Sequence, residues 1–279
     1  MGNLVMGERY IPGLAGWPES ARRMFEANYT WASSLASDKT VLDCACGSGY
    51  GSAILAARAR TVVGADVDPR MVEHARQTYA DAGVRFEQFS ITEIPYPDGY
   101  FDLVVSFDTI ERVRDDHRVL LELKRVTRAD GAIVLSTPLA NYPKEQGEPD
   151  LWDATHVREY SAYEWLHLLG QYFEAAEFFC RDAPDFGIRP LPLEAYTGSA
   201  FDLAFVRLGN APAAVKHPNV LDAFKHVHCL HLCQTIKEYE RARAELASAP
   251  PSVPGGPRMG LRALGRVKRW LVAHITTGK

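Results

Sequence analysis

The sequence predicts an α/β fold with a doubly wound, largely parallel sheet. Short strand-like runs alternate with amphipathic helical runs through most of the chain before residue 210. This alternation with short connections is typical of parallel sheets covered by helices. The first strand-like run also ends in a glycine-dense turn that opens into a helical pattern. Ligands of such sheets bind at the carboxyl ends of the strands, so this turn is the first candidate site.

The predicted elements follow in order along the chain. Strands are expected at residues 40–44, 61–65, 85–89, 103–107, 132–137, 175–181 and 200–208. Helices are expected at residues 18–36, 52–59, 69–80, 117–126 and 218–246, with a further helix starting at Ser161. Ser161 and Glu164 have the spacing of a capping box, which supports a helix start at that point.

The turn after the first strand, here called the glycine turn, covers residues 43–51 with the sequence Asp-Cys-Ala-Cys-Gly-Ser-Gly-Tyr-Gly. Glycine has no Cβ and adopts positive φ, so a ligand can approach the backbone at Gly47 and Gly49. Asp66 ends the next strand, about twenty residues further on, where a carboxylate can accept both hydroxyls of a ribose. Together these residues predict a nucleoside-containing cofactor.

A dinucleotide cofactor is the alternative. Its fingerprint requires a third glycine at the position of Ser52, counted from Gly47, and Gly51 falls one place early. The turn also begins with an acid, Asp43, and carries Ala45 where a glycine would stand. An acid suits a cofactor with a cationic, amino-acid-like portion better than a pyrophosphate. This spacing disfavours a nicotinamide-dependent dehydrogenase.

Four motifs, in the expected order, resemble those of class I S-adenosylmethionine-dependent methyltransferases. They are Asp43-x-Ala45-x-Gly47-x-Gly49, Gly64-Ala65-Asp66, the run from Ile94 to Phe107, and the run from Arg125 to Pro138. The resemblance covers residues 38–209. It implies a Rossmann-like, seven-stranded sheet with an antiparallel strand 7, and S-adenosyl-L-methionine as the cofactor. The glycine turn and the stretch from Glu8 to Gly13 also resemble a bacterial subgroup often found in sugar, surface-polysaccharide and natural-product pathways.

The resemblance implies a role for each residue of the cofactor site. The turn would border the methionine part, with Asp43 orienting it, and Asp66 would bind the ribose. Ser90 stands where similar enzymes often carry an acid that binds the adenine amino group, and a neutral serine forms a weaker hydrogen bond there. The predicted cofactor-binding residues are Asp43, Ala45, Gly47, Gly49, Asp66, Val67, Met71, Ser90, Ile91 and Phe107.

The predicted catalytic residues follow the fourth and fifth strands. A hydroxyl acceptor is barely nucleophilic while protonated and needs a general base, whereas a neutral amine does not. Similar enzymes hold a histidine at the position of His156, and an imidazole exchanges protons near neutral pH. We therefore expect His156 to be the base, with Asp153 orienting it and with Glu111 and Asp108 as alternatives.

Three residues are expected to contact the substrate, namely Asp153, Arg112 and Tyr142. Similar enzymes often have histidine at the position of Arg112, but arginine cannot act as a base and would instead bind an anionic group. Tyr142 belongs to a long loop expected to form part of the acceptor wall. These residues predict methyl transfer to a hydroxyl of a small molecule or saccharide. The alternative is N-methylation of an amine-bearing metabolite or amino sugar.

The chain is predicted to have four regions. They are an N-terminal helical cap at 1–37, the methyltransferase core at 38–209, a C-terminal helix at 210–248, and a Pro/Gly linker with a basic amphipathic tail at 249–279. The tail suits weak contact with an anionic membrane surface, or docking on its own enzyme. The C-terminal helix would cover the sheet or pair with a second subunit as a homodimer. Its His/Cys cluster at 226–233 is scattered around the helix, so no metal is expected there.

Composition narrows the class of protein. The chain has 279 residues and a formal net charge of −4, which disfavours general nucleic-acid binding. No apolar run reaches the roughly 18 residues that a membrane span requires. Two of the five cysteines, Cys44 and Cys46, lie in the glycine turn. They are expected to be reduced structural thiols in a cytoplasmic enzyme, and not metal ligands.

Overall fold

The computed structural model describes residues 11–12, 19–139, 155–160, 162–173, 176–182, 187–190 and 203–209. Several predictions therefore lie outside the described residues. These are the start of the fifth helix at Ser161, the substrate residues Tyr142 and Asp153, the C-terminal helix with its His/Cys cluster, and the linker and tail.

The strands form one mixed sheet. Their bounds are β1 Thr40–Cys44, β2 Thr61–Asp66, β3 Val84–Gln88, β4 Phe101–Phe107, β5 Thr127–Pro138, β6 Ala176–Asp182, β7 Gly187–Pro190 and β8 Leu203–Gly209. The strand order is β3-β2-β1-β4-β5-β8-β6-β7. Strands β1 to β5 are parallel, which confirms the predicted parallel sheet. β8 runs antiparallel to both β5 and β6.

Within the residues that the structure describes, the sheet has eight strands, one more than the seven expected. The additional strand, β7, pairs antiparallel with β6 at the edge of the sheet. Its four residues, Gly-Ile-Arg-Pro, carry no alternating pattern that would predict a strand. Proline is tolerated at a sheet edge because its missing N–H breaks no interior ladder, which is consistent with Pro190 in this strand.

β5 begins earlier than the sequence predicts. The expected start was residue 132, but the strand begins at Thr127, which pairs with Phe101 of β4. A register irregularity separates this pair from the next one, Leu103 with Ala132. The polar run from Arg128 to Gly131 resembles a turn, so its extension of the strand depends on the neighbouring β4.

The described helices are α1 Glu19–Ser34, α2 Tyr50–Ala56, α3 Pro69–Thr78, α4 Asp116–Val126 and α5 Ala162–Gly170, with short 3₁₀ helices at Ala80–Ala82 and Ile110–Arg112. α3 begins where the sequence predicts, because Asp68 caps the Arg70 N–H and Pro69 occupies the first turn. Asp115 caps α4 in the same way, through the Arg118 N–H. None of the helices described is both long and apolar enough to cross a membrane.

The central strands carry the core and position the site. One buried cluster joins Val41 of β1, Leu103 and Val105 of β4 and Val134 of β5 to Ala32 of α1. The chain continues from β1 to β2 on one side and later returns to β4 on the other side of β1. The topological switch point therefore lies between β1 and β4, where ligands of such sheets bind.

Candidate active site

The glycine turn follows β1 and is tied to β2. Three of its residues have positive φ, namely Ala45 (67°), Gly47 (54°) and Gly49 (85°). The N–H of Cys46 donates to the carbonyl of Ala65 over 2.8 Å. The turn is thus fixed to the end of β2, next to Asp66.

Gly47 presents bare backbone to open space. A Cβ at Gly47 would meet no atom within 4 Å, whereas a Cβ at Gly49 would lie 2.6 Å from the Cβ of Ala75. Gly49 is therefore a packing position against α3. A ligand can approach the turn at the backbone of Gly47, because the space beside it is open. Glycine also adopts the positive φ of this position without strain.

α2 packs closely against β2 because the residue of β2 that faces the helix is a glycine. A Cβ on Gly64 of β2 would lie 2.5 Å from Oγ of Ser52 and 2.8 Å from the ring of Phe86. In a dinucleotide site a glycine on the helix allows this approach. Here the glycine is on the strand, so Ser52 can occupy the helix position and keep its hydroxyl.

Asp66 lies buried between the glycine turn and α3. Its Oδ2 accepts a hydrogen bond of 2.9 Å from the Gly47 N–H. Its Oδ1 accepts one of 2.9 Å from the Asp68 N–H. Asp66 therefore links the glycine turn to the start of α3.

Asp43 is fully buried beneath the turn. Its Oδ2 accepts a hydrogen bond of 2.6 Å from Ser52, and its Oδ1 accepts one of 3.1 Å from Tyr29. Burial raises the pKa of Asp43 to about 7. The side chain thus connects the turn to two helices, α1 and α2.

The residues predicted for the adenine side differ in exposure. Val67 is 61% exposed, but Met71 is fully buried and lies within the core. Ser90 shares a hydrogen bond of 2.7 Å with the hydroxyl of Thr92. Ile91 is buried. Val67 therefore offers exposed apolar surface after β2, whereas Met71, which was predicted to lie against the adenine, belongs to the core.

The two cysteines of the turn are buried free thiols. Burial raises the pKa of both Cys44 and Cys46 well above the usual range of a thiol. Thiols in this state stay protonated and are poor nucleophiles. Within the described ranges, no group of three or more His, Cys, Asp and Glu side chains is arranged to hold a metal ion.

The second group of predicted residues lies at the carboxyl ends of β4 and β5. Asp108 follows β4 directly and has a positive φ of 49°. Its N–H donates to the carbonyl of Ser136 over 3.1 Å, and the Ser136 hydroxyl donates to its Oδ1 over 2.7 Å. These bonds hold a half-buried carboxyl group at the edge of the sheet.

Glu111 is the buried centre of this edge. Its Oε2 accepts a hydrogen bond of 3.0 Å from Thr137. Its Oε1 is buried and has no hydrogen-bond partner among the residues that the structure describes. Burial, reinforced by the charge of Asp108, raises the pKa of Glu111 to about 8. Burial therefore favours the protonated form of this carboxyl group.

His156 packs against Glu111 and is 6% exposed. Its Nδ1 lies 3.1 Å from Oε1 of Glu159, and its Nε2 lies 3.9 Å from Oε1 of Glu111. The N–H groups of Val157 and Arg158 donate to the Glu111 carbonyl over 2.9 and 3.1 Å. The segment carrying His156 is thus bound to the end of β4.

Glu159 is a contact of His156 that the sequence prediction missed. Asp153 was expected to orient His156 and lies outside the described residues, while Glu159 contacts the imidazole directly. In the sequence, Glu159 is marked only by its position three residues after His156. This spacing is common among charged residues, so it does not single out the pair. The contact joins Nδ1 of the imidazole to a carboxylate oxygen, which fixes the orientation of the ring.

Arg112 joins the same two segments. Its Nε donates to the Asp108 carbonyl over 3.2 Å and lies 3.6 Å from Oε1 of Glu111. Its guanidinium also donates to the hydroxyl of Thr155. These contacts hold the side chain beside the predicted catalytic residues, close enough for its charge to influence an anionic group bound there.

Comparison with known proteins agrees with this geometry. Residues 42–135, from β1 to β5, match a protein family described as a methyltransferase domain. Residues 42–135 therefore form a methyltransferase domain, and the curated relatives of the chain include probable S-adenosylmethionine-dependent methyltransferases. The matched residues include the glycine turn, Asp66 and the end of β4, and the match favours a methyltransferase over the dehydrogenase alternative.

The methyltransferase domain has curated relatives in mycobacteria. The chain is 36% identical over 165 residues to a probable S-adenosylmethionine-dependent methyltransferase of Mycolicibacterium smegmatis, covering 59% of this chain and 63% of that protein. It is 34% identical over 165 residues to a protein of the same description from Mycobacterium tuberculosis, covering 59% of each. The chain thus spans about three fifths of the length of these relatives.

A solved structure shares the fold of the methyltransferase domain. It is a Thermotoga maritima protein described as a SAM-dependent methyltransferase, possible histamine N-methyltransferase. The TM-score is 0.52 at 18% identity, over 67% of this chain and 91% of that chain. At this identity the likeness supports the fold alone.

Proposed function

We propose that this protein transfers the methyl group of S-adenosyl-L-methionine to a hydroxyl of a small-molecule or saccharide acceptor. The observation that carries the proposal is the open backbone of Gly47 beside the buried carboxylate of Asp66. When bound, the cofactor supplies a methyl group that its sulfonium already activates. The protein's part is to bind, to orient, and to take up the acceptor proton.

The cofactor residues support this proposal from their positions. Asp66 would accept the ribose hydroxyls while its hydrogen bonds to Gly47 and Asp68 hold the carboxylate in place. Val67, exposed directly after β2, would lie against the adenine. Gly47 would let the methionine portion approach the turn. All of these groups lie at the carboxyl ends of β1 and β2, on one side of the switch point.

His156 is the proposed base. Glu159 holds its Nδ1, so that Nε2 can accept a proton from the acceptor, in the manner of a carboxylate–histidine pair. Glu111 stands 3.9 Å from Nε2. The raised pKa of Glu111 reduces the negative charge that this carboxyl group places beside Nε2.

The acceptor class follows from the base. A positioned base is needed for a hydroxyl and is dispensable for a neutral amine, so the Glu159–His156 pair favours O-methylation over N-methylation. The saccharide class rests on the resemblance to the bacterial subgroup. Arg112, held at the same edge, would favour an acceptor that carries an anionic group.

A cofactor-turnover assay tests this proposal. Formation of S-adenosylhomocysteine would be measured with sugars, nucleotide sugars and hydroxylated metabolites, each paired with its amino analogue. We expect turnover with hydroxyl acceptors and none with the matched compound that lacks the hydroxyl. Turnover with the amino compounds alone would instead establish the N-methyltransferase alternative. The Asp66→Asn variant serves as the control with impaired cofactor binding.

The cellular setting belongs to the same proposal. The buried free thiols Cys44 and Cys46 are consistent with a reducing compartment, which supports the cytoplasm as the place of action. A homodimer through residues 218–246 and weak membrane contact through the tail at 249–279 are further proposals from the sequence. No role in nucleic-acid binding is proposed, because the net charge is −4.

A further inference from the structure

Tyr29 of α1 contacts both the glycine turn and the end of β4. Its hydroxyl donates a hydrogen bond of 3.1 Å to Oδ1 of Asp43. Its ring packs edge to face against the rings of Tyr50 and Phe107, with centroid distances of 5.2 and 5.0 Å. The side chain is buried. One residue outside the recognised motifs thus touches the residues on both sides of the switch point.

Tyr29 also explains the last glycine of the turn. A Cβ on Gly51 would lie 2.2 to 2.4 Å from three ring atoms of Tyr29. This distance is far below van der Waals contact, so any side chain at residue 51 would displace the ring. Gly51, which falls one place early for a dinucleotide fingerprint, is therefore required here by the packing of α1.

Asp43 is the group through which Tyr29 can influence the site. Each of its carboxyl oxygens accepts a hydroxyl from a different helix, Tyr29 of α1 and Ser52 of α2. Both hydrogen bonds lower the pKa of Asp43, against the effect of burial and of the charge on Asp66, and the result is about 7. The thiols of Cys44 and Cys46 are the other titratable groups coupled to Asp43.

We propose that Tyr29 is a positioning residue of the cofactor site, which fixes the glycine turn through Asp43 and keeps that carboxyl group ionised for the cationic amino group of the cofactor. The inference rests on the proposed function. Hydroxyls that donate to a carboxylate favour its ionised form, and an ionised carboxylate attracts a nearby cation. The hydroxyl of Tyr29, and not only its ring, makes α1 part of the site.

Calorimetric titration of the full chain with S-adenosylhomocysteine, across neutral pH, tests this inference. Wild-type affinity should fall as pH drops below the pKa of Asp43, because the protonated carboxyl no longer attracts the ammonium group. Tyr29→Phe keeps the ring but loses one hydrogen bond to Asp43. The pH at which half of the affinity for S-adenosylhomocysteine is lost, here called the midpoint, should therefore rise by about one unit in this variant. One unit is the scale of one hydrogen bond to a charged group. Ser52→Ala should shift the midpoint in the same direction.

Tyr160→Phe is the matched control. This variant also removes a buried tyrosine hydroxyl, which donates a hydrogen bond of 2.9 Å to Asp116. Its midpoint should equal that of the wild type. An unchanged midpoint in Tyr29→Phe, or a loss of affinity by the same factor at every pH, would overturn the inference. A wild-type chain that binds no S-adenosylhomocysteine at any pH would overturn the proposed function, and this inference with it.

Discussion

Replacement of His156 by alanine is expected to lower kcat by about 10²–10⁴-fold, the usual contribution of a positioned general base. The imidazole is held by Glu159 on Nδ1, and its Nε2 is left to accept the proton of the hydroxyl acceptor. The affinity for cofactor should stay nearly unchanged, because Asp66 at the end of β2 and Gly47 in the glycine turn do not belong to the segment that carries His156. Steady-state kinetics with separate kcat and KM values measures both effects.

Two further variants accompany this test. Glu159→Gln should lower kcat by a smaller factor, because it leaves His156 in place but weakens its orientation. His117→Ala removes an exposed imidazole on α4 and should leave kcat at the wild-type value. Near-normal kcat in His156→Ala would mean that the histidine only binds its segment to the end of β4. The base would then be Glu111 or Asp108, or the acceptor would be an amine that needs none.

The Asp66→Asn variant should bind S-adenosylhomocysteine about 10- to 150-fold more weakly, which corresponds to the roughly 1.5–3 kcal/mol of a charge-assisted hydrogen bond. Both carboxyl oxygens of Asp66 accept backbone N–H groups at 2.9 Å. An amide would have to turn its NH₂ group towards one of these donors, so the turn also loses an anchor. Calorimetric titration measures the affinity.

Asp68→Asn provides the matched control for Asp66→Asn. It makes the same chemical change two residues away, and asparagine caps a helix about as well as aspartate. Asp68 caps α3 through the Arg70 N–H, so this variant should keep both its stability and its affinity for S-adenosylhomocysteine. Equal affinity in the two variants would remove Asp66 from the cofactor site.

The parallel half of the sheet could be predicted from the sequence because its signals are local. β1 has the predicted bounds, and the bounds of β2, β3 and β4 lie within two residues of the prediction. Each is a short apolar run between turn residues, and buried parallel strands have this pattern. β7 has no such pattern, and its pairing depends on the position of β6.

The cofactor side of the candidate site could be predicted, because its residues directly follow predicted strands. The glycine turn and Asp66 lie together because parallel strands bring consecutive carboxyl ends to one edge of the sheet. The contact of Tyr29 with Asp43 depends on how two separate segments pack, and that of Glu159 with His156 depends on the local conformation of residues 156–159. Carboxylates and tyrosines are common in any sequence, so nothing in their local pattern distinguishes these two.

Ser52 and Gly64 show how a correct conclusion can rest on incomplete geometry. The absence of glycine at position 52 was an argument against a dinucleotide cofactor. The structure shows that α2 still approaches β2 closely, because the glycine lies on the strand at position 64. Only the register that places Gly64 next to Asp43 of β1 brings this glycine to the helix.

Direct titration of the wild-type chain with S-adenosylhomocysteine and, separately, with NAD⁺ tests the central claim, which is that the glycine turn and Asp66 bind S-adenosylmethionine. The account predicts saturable binding of S-adenosylhomocysteine at one site per chain, and no saturable binding of NAD⁺. Tighter binding of NAD⁺ than of S-adenosylhomocysteine, or no binding of the latter, would contradict it.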